Sequence, residues 1–153
     1  MILTSIGRRR VGAVVLLLAA TLVVQGVVAR PAGAAARQRE QMVSLTNRDR
    51  LERHRSRLAL NVRLSRYAKR HSREMAERGY LFHTPDLSAR LKGLSWSVGG
   101  ENVGVASSLP KLESAFMHSA PHRANILRKA FSHFAVGIVR ASGKFWVTVI
   151  FYG

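Results

Sequence analysis

The 153-residue chain contains no cysteine, only four prolines and few aromatic residues, which make up 7% of the sequence. Because disulfides are excluded, packing and hydrogen bonds alone must stabilise the fold. The 117 residues that follow residue 36 are enough for one domain with a real core and too few for two large ones. We therefore expect a single domain.

Acidic residues are also scarce, with 8 Asp and Glu against 25 Lys and Arg, for a net charge of +17. Residues 1–36 carry four of the basic residues and no acid, so the remainder keeps +13. Such a charge attracts anionic cell-envelope polymers or a membrane surface. The alternative is a solvated arginine-rich surface with no specific partner. Nucleic acid is disfavoured because no aromatic side chains interleave the basic ones.

Long apolar runs are absent except near the N-terminus. There Arg8, Arg9 and Arg10 precede the apolar run 11–28, and small residues follow at 32–36. This pattern predicts a signal peptide over residues 1–36, cut after position 36 or 29. An uncleaved membrane anchor is the alternative. Either one places the domain of residues 37–153 outside the cell, as a secreted or envelope-associated protein.

Helical periodicity and β alternation divide the domain into elements. Helices are predicted at 37–55, 63–78, 86–92 and 110–118, and His122 opens a further helix after a turn at 120–121. Extended segments are predicted at 58–61, 101–106, 134–139 and 144–152. The first two helices are expected to cover one face of the sheet. The order of elements predicts an α+β fold, a three-layer α-β-α sandwich around a mainly antiparallel sheet.

Several short motifs carry a family resemblance: Phe82-His83-Thr84-Pro85, Gly100-Glu101-Asn102-Val103, and the run 118–127, HSAPHRANIL. Asn-x-x-Arg at 47–50 and HSREMAERGY at 71–80 add to it. Together they resemble the CAP superfamily, the cysteine-rich secretory and pathogenesis-related (SCP) domain proteins, over roughly residues 42–153. The absence of cysteine resembles the bacterial secreted type.

This resemblance implies a cleft, floored by the sheet, in which His83, Glu101 and His122 meet. Two imidazoles and a carboxylate are a ligand set for Zn²⁺ or another divalent cation. Asn102 and Asn125 are expected to support the cleft.

Ser119 lies at the cleft where many eukaryotic members carry a second glutamate, and this departure weakens a four-ligand site. Glu113 is not expected to replace that acid, because it lies about 120° away around the helix. The other histidines, at 54, 71, 118 and 133, are interpreted as packing residues.

Three functions follow from the resemblance. The first is a secreted module whose cleft binds a divalent metal or small ligand. The second is an extracellular metal-dependent hydrolase, a peptidase or a cell-wall-cleaving enzyme, and the third is a carrier of lipid or sterol. The sequence leaves open whether the protein is an enzyme. It contains no Walker loop, dinucleotide fingerprint or His-Glu-x-x-His motif.

Overall fold

The computed structural model describes residues 32–153, which contain five helices and four strands. The helices are α1 (Ala32–Leu51), α2 (Val62–Arg78), α3 (Leu87–Leu91), α4 (Leu109–His118) and α5 (Ala120–Leu127). The strands are β1 (Ala59–Leu60), β2 (Gly99–Ala106), β3 (His133–Ala141) and β4 (Lys144–Tyr152). No helix within residues 32–153 is long and apolar enough to cross a membrane. The predicted signal peptide lies almost wholly outside these residues.

The four strands form one sheet in the order β1-β3-β4-β2. Strand β4 pairs antiparallel with both β3 and β2, and only the two-residue β1 pairs parallel, with β3. The hairpin between β3 and β4 turns at Ser142 and Gly143, which both have positive φ. The predicted hairpin and the mainly antiparallel sheet are therefore confirmed.

Alternate residues of the central strands face two different helical layers. Val147, Val149 and Phe151 of β4 pack in one cluster with residues of α1, α4 and α5. Ile150 of the same strand packs with α2 and α3 on the other face. Helix α2 approaches so closely that a Cβ on Gly137 would lie 2.0 Å from the backbone of α2. The layers form the predicted α-β-α sandwich.

The expectation that α1 and α2 share one face of the sheet is wrong. Met42 of α1 packs against Phe134, whereas Leu64 of α2 packs in the cluster that contains the next strand residue, Ala135. The linker after α1 runs along the sheet edge as β1, and the chain thereby passes from one face to the other.

The predicted elements have small errors at their ends. Helix α2 ends as predicted, with Gly79 as a left-handed C-cap at φ 76°. Helix α1 ends at Leu51 rather than near residue 55, because the chain turns there and His54 has φ 54°. The predicted turn at 120–121 is instead the first turn of α5, where Pro121 is tolerated because an early helical amide has no intrahelical acceptor.

Candidate functional site

The first half of the site joins the loop after α2 to strand β2. His83 Nδ1 lies 2.8 Å from Glu101 Oε1. The same carboxylate accepts hydrogen bonds from the Thr84 amide, at 2.9 Å, and from the Thr84 hydroxyl, at 2.5 Å. The Glu101 side chain is only 4% exposed, whereas that of His83 is 61% exposed. The loop therefore holds the exposed His83 ring by a hydrogen bond to the buried Glu101 carboxylate.

These hydrogen bonds fix the chemical roles of the pair. An ionised carboxylate only accepts hydrogen bonds, so Nδ1 of His83 must donate to Glu101. In the neutral ring the lone pair then lies on Nε2. Because both Glu101 oxygens already accept hydrogen bonds, the carboxylate orients His83 and is engaged with Thr84.

The second half of the site lies at the junction of α4 and α5. Ser119 separates the two helices, and its hydroxyl lies 2.8 Å from His122 Nδ1. The His122 ring also packs against Phe116, with 5.0 Å between the ring centroids. Burial lowers the pKa of His122, and the nearby charge of His83 lowers it further. His122 therefore stays neutral to a lower pH than a free histidine.

Two asparagines connect these halves. Asn102, next to Glu101 on β2, is fully buried and donates to the His122 carbonyl at 3.0 Å. Asn125 donates to the Asn102 side-chain oxygen at 2.9 Å and to the Glu101 carbonyl at 3.2 Å. Both asparagines thus lie between α5 and β2, and their hydrogen bonds connect these two elements.

The serine next to His122 raises the question of a nucleophile. A hydroxyl at 2.8 Å from an imidazole is a pairing found in serine hydrolases. Within residues 32–153, however, no carboxylate contacts the His122 ring, so the pair lacks the third member that would orient it. The geometry is that of two imidazoles, each hydrogen-bonded through Nδ1, rather than of a catalytic triad.

Two further residues lie in this region: Thr84, to which sequence reasoning assigned no role, and His71, which it interpreted as a packing residue. Thr84 lies in the Phe-His-Thr-Pro motif. It supplies two of the three hydrogen bonds to the Glu101 carboxylate. His71 of α2 is buried, with Nδ1 3.2 Å from the Thr148 hydroxyl and its ring edge against Phe82. Burial lowers the pKa of His71, although the nearby Glu101 carboxylate opposes this effect.

The remaining histidines lie away from the cleft. His118 is exposed on α4 and contacts the Ser114 carbonyl, and His133 stacks on Tyr152. His54 is an exposed residue of the turn after α1. In the part of the chain that the structure describes, no three His, Asp or Glu side chains are grouped as a metal site. The predicted zinc site stays a prediction.

Comparison with known proteins decides the family. The model of the CAP family, described as the cysteine-rich secretory protein family, matches residues 43–151. The chain belongs to the CAP family. The match includes His83, Glu101 and His122. This CAP domain is of the cysteine-free type found in bacterial extracellular proteins.

Individual relatives agree with this assignment. The uncharacterized protein YkwD of Bacillus subtilis is 32% identical over 114 residues, which are 70% of this chain and 44% of that protein. The chain thus spans less than half the length of this curated relative.

Solved structures share the fold. An extracellular SCP-domain protein from Bacillus anthracis has a TM-score of 0.68 at 25% identity, covering 77% of this CAP domain chain and 41% of that protein. An outer surface protein of Borrelia burgdorferi has a TM-score of 0.67 at 15% identity, covering 76% and 92% of the two chains. The second likeness concerns the fold alone.

Proposed function

We propose that this CAP domain is a secreted binding module whose cleft holds a divalent metal, with zinc as the best match, or a small ligand. The observation that carries the proposal is the hydrogen bond from His83 to the buried Glu101 carboxylate. A histidine that binds a metal through one ring nitrogen usually donates a hydrogen bond from its other ring nitrogen to a carboxylate or another oxygen, as His83 does here.

The imidazoles of His83 and His122 suit a divalent cation, but the role of Glu101 differs from the predicted one. His83 and His122 would bind it through Nε2, since their Nδ1 atoms are engaged with Glu101 and Ser119. Glu101, predicted as a ligand, would act as the outer partner that holds His83. A bound zinc ion supplies a Lewis acid and an open coordination position for water or a ligand. Hydrolysis by a serine nucleophile is disfavoured because the Ser119–His122 pair lacks an orienting acid.

Zinc titration by calorimetry tests this proposal on the full-length chain, kept in mild detergent. We expect binding near pH 7.5 that weakens below about pH 6, because protonated imidazoles cannot bind metal. His83→Ala with His122→Ala should abolish binding, and Glu101→Gln should weaken it by about 10- to 100-fold.

The matched control removes two histidines outside the cleft, His118→Ala with His133→Ala, and should leave the affinity unchanged. An absence of zinc heat in the parent protein, or equal affinities in the parent and the cleft variant, would contradict a metal-binding cleft.

We also propose that the basic surface associates this domain with anionic components of the cell envelope. The support is the net charge of +13 after residue 36, together with relatives described as extracellular or outer surface proteins. Association of this kind should weaken as salt rises, because the Debye length falls to about 3 Å at 1 M.

A further inference from the structure

One concavity of the described chain lies apart from His83, Glu101 and His122. It is a cavity of about 460 Å³ between the first two turns of α2 and the segment from α3 to Leu94. None of His83, Glu101, Ser119 or His122 lines it. The cavity is therefore separate from the candidate site formed by these four residues.

The polar lining of this cavity is cationic. Its charged members are Arg63, Arg66, Arg70, Arg90 and Lys92, and no acidic residue is among the lining residues. Within residues 32–153 none of these five forms an ion pair. Like charges held together around a concavity repel one another, and a bound anion would relieve that repulsion.

An acidic residue close to Arg90 has hydrogen-bond partners of its own. Asp86 begins α3 and accepts hydrogen bonds from the Ala89 amide and the Ser88 hydroxyl, both at its Oδ1. These hydrogen bonds, with a smaller contribution from Arg90, hold the pKa of Asp86 below its usual range. Asp86 is exposed, so solvent screens its charge from the cavity.

An aromatic ring orders two of the guanidinium groups. The Arg90 guanidinium lies 4.7 Å from the centroid of the Tyr67 ring, and that of Arg70 lies 5.6 Å from it. Stacking on a ring leaves the N–H groups of arginine available to bind an anion. It also reduces the conformational entropy that the side chains lose when a ligand binds.

The spacing along α2 indicates the size of the anion. Arg63, Arg66 and Arg70 lie on one face of the helix and span seven residues, or about 10 Å. A single phosphate cannot contact positive charges along this whole length, whereas several linked or neighbouring phosphates can. Arginine favours phosphate because its planar fork donates two parallel hydrogen bonds.

We propose that the α2–α3 cavity is a binding site for closely spaced phosphate groups, either a soluble phosphate chain or the head groups of anionic lipids. This site rests on the proposed envelope association and gives it a defined location. It is independent of metal binding in the histidine cleft.

The experiment compares two variants of the full-length chain that lose the same charge. The cavity variant combines Arg66→Gln, Arg70→Gln and Arg90→Gln. The control variant combines Arg57→Gln, Lys111→Gln and Lys129→Gln, three exposed positions outside the cavity. Calorimetry with inorganic tripolyphosphate and sedimentation with phosphatidylglycerol vesicles measure binding at low salt, and inorganic monophosphate serves as the single-anion probe.

We expect the cavity variant to lose at least about tenfold in affinity, against twofold or less for the control. Tripolyphosphate should also bind more tightly than monophosphate. Selective loss with tripolyphosphate identifies soluble phosphate chains as a ligand, and selective loss only with vesicles identifies lipid head groups. Equal losses in the two variants would overturn the cavity site while leaving envelope association standing. Failure of the parent to bind either probe would overturn both.

Discussion

Glu113 is a carboxyl group buried between α4 and α1. Its residue is 1% exposed, and neither carboxyl oxygen has a hydrogen-bond partner in the described chain. Thr46 and Asp49 of α1 lie close enough to influence its ionisation. Burial, with a further contribution from Asp49, raises the pKa of Glu113 to about 8, and Thr46 acts in the opposite direction. The group is therefore neutral in the folded protein at pH 7.

This residue makes the fold less stable as the pH rises. Between pH 4.5 and 8 the folded state keeps the Glu113 proton that the unfolded chain releases, so the unfolded state binds fewer protons. Glu113→Gln cannot ionise. Its free energy of unfolding, relative to that of the parent, should therefore rise by about 2 to 4 kcal/mol from pH 5 to pH 8. Urea unfolding at the two pH values measures that gain.

Histidine titration affects the parent and this variant alike, so the difference between them isolates Glu113. The exposed substitution Glu77→Gln should show no such trend. A Glu113→Gln advantage of equal size at both pH values would show that the carboxyl is not protonated by the fold.

At the same scale, motifs in the sequence singled out candidate site residues but not their hydrogen-bond partners. His83, Glu101 and His122 were found because each lies in a distinctive short motif. The role of Thr84 depends on a loop meeting β2 seventeen residues later, which local sequence does not specify. Burial of Glu113 was equally hidden, because an acidic residue on an amphipathic helix is normally exposed.

At the scale of elements, Arg50 joins α1 to the end of α5. It is 1% exposed, and its guanidinium donates to the carbonyls of Ser56, Ile126 and Arg128 at 2.6 to 3.1 Å and to that of Phe131 at 3.4 Å. Two of these carbonyls belong to the last turn and C-cap of the helix that carries His122. Positive charge is favourable at a helix C-terminus.

Replacing this arginine should loosen the connection between the helices. Arg50→Met leaves four carbonyls without their donor and should lower the free energy of unfolding by at least about 3 kcal/mol. Urea denaturation measures the loss, and the exposed Arg57→Met serves as control. Comparable stabilities of the two variants would show that water replaces the guanidinium without cost.

Element types were more predictable than element placement. Hydrophobic periodicity identified α2 and its glycine cap, and alternation identified β3 and β4. Periodicity does not say which face of a sheet a helix covers, however. The placement of α1 depends on the crossing at β1, a strand of only two residues that pairs with residues more than 70 positions later.

At the scale of the whole molecule, the described chain separates two polar regions. His83, Glu101 and His122 lie on the loop after α2, on β2 and on α5, and the cationic cavity lies between α2 and α3. Tyr67 lies between the regions: it lines the cavity, and its hydroxyl is 3.5 Å from the Thr84 hydroxyl. Composition predicted a basic surface, but not that five of its cations surround one concavity, since that requires α3 to fold back on α2.

Strand β2 is an edge of the sheet, and edge strands can pair with other molecules. The carbonyl of Glu101 in this strand accepts a hydrogen bond from the Asn125 side-chain amide. Asn125→Ala should therefore increase self-association of the folded protein, measured by light scattering. Asn102→Ala, which removes a partner of Asn125 but leaves the Glu101 carbonyl covered, should not. Equal self-association would exclude the amide as the cause. If self-association rises only in Asn125→Ala, the Asn125 side chain serves a second purpose, because it keeps the sheet from growing into an aggregate.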